Sequence, residues 1–304
     1  MTALTDTVSG GSKQGHRPVD RGARGLTLRI ISGLFAVPFL LGVAYFGNLE
    51  PGQPGWIAYG GFICLATGFA AFEVRAMLRA GGYVPMDVVL IGLAVLLPAD
   101  AWLRPELDLW RVAPDGLLLV VIMVIASLVA LIVRPTSDRA LVDWALSLGL
   151  ALYLGGLMQF YLPLRRLPTD FLPGFWVIAL LILSWVCDSS AYFVGGAVGR
   201  IRLAPHISPK KSVEGALAGL VGAALVGPLL GLAVGQPALL MAGYGLAIAL
   251  ATIAGDLVES LVKRQTGVKD SGVLIPGHGG LLDRMDSLLF CAPIAVLYLH
   301  AFTA

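Results

Sequence analysis

Stretches of about 20 mostly apolar residues, separated by short polar connections, recur along almost the whole chain. A helix needs about 20 apolar residues to cross a hydrocarbon core that is about 30 Å thick. We therefore predict about nine transmembrane helices. Their approximate bounds are 26–47, 56–78, 84–101, 116–134, 141–162, 174–198, 212–234, 237–262 and 284–302.

No stretch shows the alternating pattern of a β-strand, and none leaves room for a separate soluble domain. The predicted fold is all-α, a polytopic helical bundle in a membrane that covers residues 26–304. Residues 1–25 are polar and partly basic, without the apolar core of a cleaved signal peptide. We predict that they form a disordered cytoplasmic tail.

Composition supports a lipid environment. The chain has 304 residues, of which 57% are hydrophobic and 13% are charged. A soluble domain carries about 25% charged residues, so this chain lacks the charge that a water-facing surface requires. Its three cysteines, Cys64, Cys187 and Cys291, lie far apart inside apolar segments. They are predicted to be buried small side chains rather than metal ligands or disulfides.

The basic residues indicate the orientation of the helices. With nine spans, all but four of the 21 lysines and arginines fall on one side, together with the N-terminus. The four on the other side are Arg104, Arg111, Arg165 and Arg166. Cytoplasmic loops carry an excess of basic residues, so we predict that the N-terminus is cytoplasmic.

Charged residues inside the spans are concentrated in the last third of the chain. Glu73 and Arg75 are the main exceptions. They could pair near the end of their helix, and we predict a structural role for them over a functional one. From Asp188 onward, charges stand at or inside the ends of spans, where each costs about 2.5–3.5 kcal/mol to insert. Such residues are candidates for function, so the chemistry is predicted to lie in this third.

The segment 255–287 holds the richest set of candidates. Asp256 and Glu259 share one helix face with Lys263 a turn further on, and Asp283 and Asp286 share a face of the next helix. The basic loop between these helices contains Gly267, Gly272, Gly277, Gly279, Gly280 and His278. Carboxylates suit Mg²⁺, and glycines let backbone N–H groups approach an anion. We predict a cage for Mg²⁺ and phosphates, with ion-paired charges at helix ends as the alternative.

A second candidate is the run His206 to Gly215. Ser208 and Pro209 are interpreted as the N-cap and first residue of a helix, which puts Lys210 and Lys211 in its first turn. Cations are disfavoured there by the helix dipole unless an anion occupies the helix end. We predict an anion site, and the alternative is that the lysines serve only the orientation of the loop.

Asp188 lies well inside an apolar span and must face a polar interior. A hydrogen bond to a neighbouring helix, a metal ion, a ribose or a base would each satisfy it. The sequence leaves these alternatives open.

Three short motifs follow one another in the last third of the chain. They are Ser260-Leu-Val-Lys263-Arg264, then Lys269-Asp270, then Pro276-Gly-His278-Gly279-Gly280-Leu-Leu-Asp283-Arg284-Met-Asp286. Together they resemble the signature of one enzyme family, the phosphatidate cytidylyltransferases. The run Ser208 to Gly215 and the run Asp188 to Tyr192 are similar to further family blocks. Ser189 and Ser212 stand where threonine is more usual, which keeps the hydroxyl group. The resemblance covers residues 180–290, with the active-site blocks within 185–290.

The resemblance implies transfer of the cytidylyl group of CTP to phosphatidate, which gives CDP-diacylglycerol and pyrophosphate for phospholipid biosynthesis. It also implies a homodimer that requires Mg²⁺, beside which some members hold a monovalent cation such as K⁺. The predicted catalytic residues are Asp256, Lys263, Arg264 and Asp283. The predicted metal ligands are Asp256, Glu259, Asp283 and Asp286. The predicted substrate-binding residues are Asp188, Ser208, Lys210, Lys211, Lys269, His278, Gly279, Gly280 and Arg284.

The expected partners are CTP, phosphatidate in the bilayer and the surrounding membrane lipids, with no nucleic acid. We expect the protein in the inner, cytoplasmic membrane of the cell, with its active site facing the cytoplasm. One alternative is a cation-coupled secondary transporter, although we find no internal repeat of the kind such transporters show. A second is a related nucleotidyltransferase that acts on an ether-linked lipid phosphate.

Overall fold

The computed structural model describes residues 38–45, 53–104, 116–133, 138–272, 274 and 279–303. The predicted tail at 1–25, most of the first predicted span and His278 lie outside these residues. Within them, residues 38–45 are helical and are labelled α1. The other elements are α2 (Pro54–Ala80), a π-helical turn (Val88–Gly92) that runs into α3 (Leu93–Leu103), α4 (Leu117–Val133), α5 (Ala140–Ala151), a second π-helical turn (Leu152–Gly156), α6 (Tyr161–Arg166), α7 (Phe175–Val198), β1 (Arg202–Ala204), β2 (Ser208–Ser212), α8 (Val213–Ala233), α9 (Ala238–Gln265) and α10 (Leu282–Thr303).

Six helical spans among the described residues are long and apolar enough to cross a membrane. They are Pro54–Ala80, Ala140–Arg166, Phe175–Val198, Val213–Ala233, Ala238–Gln265 and Leu282–Phe302. Two shorter apolar helices, Val88–Leu103 and Leu117–Ile132, match the predicted spans at 84–101 and 116–134. The chain is thus a helical, multi-pass membrane protein, as predicted, and the count of nine stays a prediction.

The outer surface of α8 is strongly apolar. Val221, Leu225, Leu229 and Leu232 are between 57% and 78% exposed. A soluble protein rarely leaves so large an apolar patch in water. Lipid tails are the solvent that such a surface fits.

The C-terminal helices pack consecutively, α7 on α8, α8 on α9 and α9 on α10. Small residues allow close approach where the site lies. A Cβ atom on Gly255 of α9 would stand 2.5 Å from the carbonyl oxygen of Asp286 on α10. The fully buried side chains between these helices include Leu180, Leu183, Tyr244, Ile248 and Leu289. This packing fixes the relative positions of Asp256 and Asp286, which flank the contact.

One expectation about local structure was wrong. Instead of starting a helix, Ser208 starts β2, which pairs antiparallel with β1 in a short hairpin. Helix α8 begins at Val213, and the N-cap is Ser212, whose hydroxyl accepts a hydrogen bond from Gly215 N at 3.2 Å. Both serines satisfy the N-cap preference, but only Ser212 is followed by an uninterrupted helical run. Lys210 and Lys211 therefore lie on the strand and not in the first helical turn.

The polar connections meet at one end of the bundle. Val84 N donates to Asp143 Oδ1 at 3.0 Å, and Arg264 Nε donates to Ile207 O at 3.3 Å. These contacts join segments that the sequence assigned to the same side of the membrane. The side chain of Arg165, predicted to be on the opposite side, donates to Tyr45 O at 3.4 Å.

Glu73 and Arg75 do not form the pair that their spacing on the helix would have allowed. Arg75 makes two hydrogen bonds of 2.7 Å to Asp87, beyond the end of α2. Glu73 turns instead towards Ser271 and the start of α10. Residues two apart on a helix point in different directions, so each meets a different neighbouring segment.

Candidate active site

A cavity of about 590 Å³ opens at the polar end of the bundle, between α7, β2, α9 and α10. Charged side chains from four separate segments face it. Those in its lining are Asp188, Lys210, Lys211, Asp256, Asp283, Arg284 and Asp286. All seven are site residues predicted from the sequence, so folding brings three distant motifs to one place.

The β-hairpin carries the basic wall of the cavity. Lys211 on β2 forms an ion pair with Asp256 on α9, and both side chains keep more than a quarter of their surface exposed. Lys210, the preceding residue, is exposed at the rim. An ion pair at an open cavity can exchange partners, so the ammonium group of Lys211 is placed to contact an entering phosphate.

Three carboxylates from three different helices, those of Asp188, Asp256 and Asp286, line the same cavity. Asp188 of α7 and Asp286 of α10 are each close enough to Asp256 for their negative charges to repel. Asp286 Oδ1 accepts a hydrogen bond from Ser287 Oγ at 3.2 Å. Repulsion within such a group is relieved by a bound cation or by a lysine.

Beneath the cavity, Lys263 joins two other carboxylates. Its Nζ atom donates to Asp283 Oδ1 at 2.8 Å and is paired with Glu259, one turn earlier on α9. Glu259 is 1% exposed and does not line the cavity. The arrangement ties α9 to the start of α10, and it gives Glu259 a protein cation as its partner.

Asp283 is engaged by the protein on both oxygens. Its Oδ2 atom accepts from Ser271 N at 3.0 Å and from Gly280 N at 2.9 Å, while Oδ1 is held by Lys263. A carboxylate with this many donors is well satisfied without a metal ion. Asp256 and Asp286 have more freedom to bind one.

The remaining predicted residues that the structure describes are not part of the cavity lining. Arg264 and Lys269 are exposed near the end of α9, and Ser208 is half-buried on β2. Gly279 has a φ of 83°, which favours glycine, and Gly280 donates its N–H to Asp283. His278 falls outside the described residues, so its predicted role stays a prediction.

Three contributors were not predicted as site residues. Ser212 lines the cavity and caps α8, whereas Ser271 and Glu73 hold the start of α10. The sequence offered a signal for Ser212, because it stands directly before a helical run. For Glu73 the one signal was a carboxylate inside an apolar span, which does not identify a partner about 200 residues away.

The charged side chains that line the cavity are compatible with a bound cation. Four carboxylates face three basic side chains in its lining. Among the described residues, no three His, Cys, Asp or Glu side chains converge closely enough to hold a metal ion by themselves. Mg²⁺ commonly takes one or two carboxylates and completes its shell with water and substrate phosphate. The donor set therefore fits a Mg²⁺ ion that binds together with a phosphate-bearing substrate.

The fold and the cavity define a class: a multi-pass membrane protein with a cavity lined by charged side chains at one end of its helical bundle. The model of the cytidylyltransferase family matches residues 27–302, and the chain belongs to that family. It is 33% identical to the phosphatidate cytidylyltransferase of Synechocystis sp. over 299 residues, which cover 90% of this chain and 96% of that protein.

Further relatives match more strongly over a shorter part of the chain. Identity to the phosphatidate cytidylyltransferase of Thermotoga maritima is 40% over 48% of this chain and 55% of that protein. Identity to the enzyme of the same name from Pseudomonas aeruginosa is 44% over 41% of this chain and 47% of that protein. These matches confirm the family resemblance, and they favour a nucleotidyltransferase over a transporter.

Proposed function

We propose that the chain transfers the cytidylyl group of CTP to phosphatidate, giving CDP-diacylglycerol and pyrophosphate for phospholipid biosynthesis. Family membership supports the reaction, and the names of the relatives reported above indicate its substrates. The observation that carries the proposal is the cavity at the polar end, where Lys210, Lys211 and Arg284 face four aspartates. Such a site suits two phosphate-bearing substrates and a cation.

The chemistry needs positioning more than a strong base. A phosphate oxygen of phosphatidate attacks the α-phosphorus of CTP, a new P–O–P bond forms, and the bond to the pyrophosphate group breaks. The attacking oxygen is already anionic near neutral pH. The barrier lies in bringing two polyanions together and in stabilising the leaving group. Lys210, Lys211 and Arg284 are the described cavity-lining cations that would bind and orient those phosphates.

We propose Mg²⁺ as the cofactor, held by Asp256 and Asp286. Both line the cavity, and neither is surrounded by protein donors as Asp283 is. The ion would offset phosphate charge in the transition state. Asp188, which faces the same space, is a candidate for a second cation such as K⁺ or for the nucleoside.

The placement of the protein is also a proposal. Counted over about nine spans, the basic asymmetry supports a cytoplasmic N-terminus. The bacterial relatives support the inner membrane of a bacterial cell. The cavity would then open at the cytoplasmic face, where CTP is available and phosphatidate remains in the bilayer. The family resemblance supports a homodimer, and the exposed apolar face of α8 suits either lipid or a second copy.

The test is pyrophosphate release by purified protein in detergent–phosphatidate micelles. We expect release that requires both CTP and phosphatidate and that stops when Mg²⁺ is chelated. An ether-linked lipid phosphate serves as the competing substrate, and ATP, GTP and UTP serve as nucleotide controls. No release with CTP and phosphatidate, or preference for the ether lipid, would overturn the assignment.

A further inference from the structure

Glu73, on helix α2 and outside the cavity, contacts the segment that joins α9 to α10. Glu73 Oε1 accepts a hydrogen bond from Leu281 N at 2.9 Å, and Oε2 accepts from Leu282 N at 2.8 Å. Ser271 Oγ also donates to Oε2, at 3.2 Å. Since α10 begins at Leu282, these amides belong to the helix end, where N–H groups have no partner within the helix. Glu73 thus caps α10 from a different helix.

Two glycines lie directly against the carboxylate of Glu73. A Cβ atom on Gly272 would lie 2.6 Å from Glu73 Oε1, and one on Gly280 would lie 2.6 Å from Oε2. Any larger residue at these two positions would displace Glu73 or the loop. The two glycines therefore serve the approach of Glu73, besides any approach to a phosphate.

Ser271 links Glu73 to the residues at the cavity. Its hydroxyl donates to Glu73 and accepts from Asp283 N at 3.3 Å, while its N–H donates to Asp283 Oδ2. Asp283 in turn is bonded to Lys263. The start of α10 is consequently held from α2 on one side and from α9 on the other. Arg284 and Asp286, which face the cavity, follow directly on that helix.

We propose that Glu73 is a positioning residue for the active site. It fixes the rotation of the first turn of α10 about the helix axis and its position along that axis, so that Arg284 and Asp286 point into the cavity. The proposal rests on the proposed function for its catalytic part, but the contact itself is testable without substrate. Glu73 touches neither the cavity nor its ligands, so it acts through the backbone of Leu281 and Leu282.

The first experiment is amide hydrogen exchange on substrate-free protein. Glu73→Gln keeps the size of the side chain but removes its charge and one of its two acceptor oxygens. We expect faster exchange in peptides that contain Leu281 and Leu282, by about tenfold or more. Arg75→Gln is the matched control, because Arg75 lies on the same helix end and bonds to Asp87 instead. It should leave those peptides unchanged.

The second experiment measures steady-state kinetics. A smaller folded fraction would scale kcat but would leave the KM for CTP unchanged, whereas a displaced Arg284 weakens phosphate binding. We expect Glu73→Gln to raise the KM for CTP about fivefold and to lower kcat about tenfold. Ser271→Ala, which removes only the serine link, should change both constants in the same direction but less. Arg75→Gln should change neither.

Unchanged exchange at Leu281 and Leu282 in both Glu73→Gln and Ser271→Ala would overturn the proposal. So would an unchanged KM for CTP with activity lost only in proportion to folded protein. If Glu73→Gln does not fold, Ser271→Ala decides by the same two measurements. A wild-type protein without cytidylyl transfer would overturn the proposed function instead, and the exchange result would stand apart from it.

Discussion

The aspartates of the site differ in how much of their hydrogen-bonding capacity the protein already uses. The carboxylate of Asp283 accepts hydrogen bonds from Lys263 Nζ, Ser271 N and Gly280 N. Among the described residues, the side chain of Asp286 accepts hydrogen bonds only from Ser287, and it faces the cavity. The sequence treats both as equivalent metal ligands, since they stand three residues apart on one helix face. Their surroundings instead suggest a mainly architectural role for Asp283 and a cation-binding role for Asp286.

Replacing these two residues should therefore have different consequences. Asp283→Asn should lower the free energy of unfolding by about 2 kcal/mol, because it weakens the bond to Lys263 and puts an amide group beside backbone donors. Asp286→Asn should leave thermal stability in detergent nearly unchanged and raise the Mg²⁺ concentration for half-maximal activity about tenfold or more. The converse pattern, with only Asp283→Asn shifting the Mg²⁺ dependence, would refute this division of roles.

Lys211 is the basic residue whose loss should affect substrate binding most directly. Lys211→Ala removes a cation from the cavity and leaves Asp256 without its ion-pair partner. We expect kcat/KM for CTP to fall about 10- to 100-fold, measured by pyrophosphate release. Arg139→Ala, the loss of an exposed charge at the same end of the bundle, is the control. Equal losses in both variants would mean that net charge, and not the position of Lys211, matters.

At the scale of elements, the short β-hairpin decides where the two lysines point. A strand followed by a capped helix places Lys210 and Lys211 before the helix, on a ribbon that borders the cavity. The two lysines thus border the side of the cavity instead of lying at the helix end, where the sequence predicted an anion site. The sequence predicted Ser208 as the N-cap, but Ser208 lies on β2, which pairs with β1, and Ser212 caps the helix.

Capping provides a direct test of this element boundary. Ser212→Ala should lower the free energy of unfolding by about 1 kcal/mol, because Gly215 N loses its acceptor at the start of α8. Ser208→Ala should change it by less than about 0.5 kcal/mol. Thermal midpoints in one detergent, compared between the two variants, measure the difference. A larger shift for Ser208→Ala would support the original helix boundary.

At the scale of the whole molecule, polar segments far apart in sequence gather at one end. Val84 contacts Asp143 near the start of α5, and Arg264 near the end of α9 contacts Ile207 in the β-hairpin. The arrangement agrees with the sidedness that the basic residues predict for these segments relative to each other. The same asymmetry predicts that this end of the bundle faces the cytoplasm.

Thiol labelling determines that compartment. Gln265→Cys, exposed at the end of α9, and Asp170→Cys, exposed before α7, mark opposite ends of the bundle. In intact cells, a membrane-impermeant maleimide should label the Asp170→Cys variant only, and the Gln265→Cys variant should react after the membrane is opened. The wild-type chain, in which Cys187 and Cys291 are buried and Cys64 is partly exposed, gives the background. The reverse labelling pattern would contradict a cytoplasmic site.

The sequence alone determined the solvent, the fold class and the family, because each depends on local quantities: apolar length, charge density and motif spacing. It also identified the seven charged residues that line the cavity. Only the tertiary structure decided which partner each one has. Lys211 forms an ion pair with Asp256, Lys263 donates a hydrogen bond to Asp283, and Glu73 caps α10. The partners in these contacts are separated by 20 to 209 residues in the sequence. A local pattern can show that a buried charge needs a partner, but the choice of partner depends on how the helices pack.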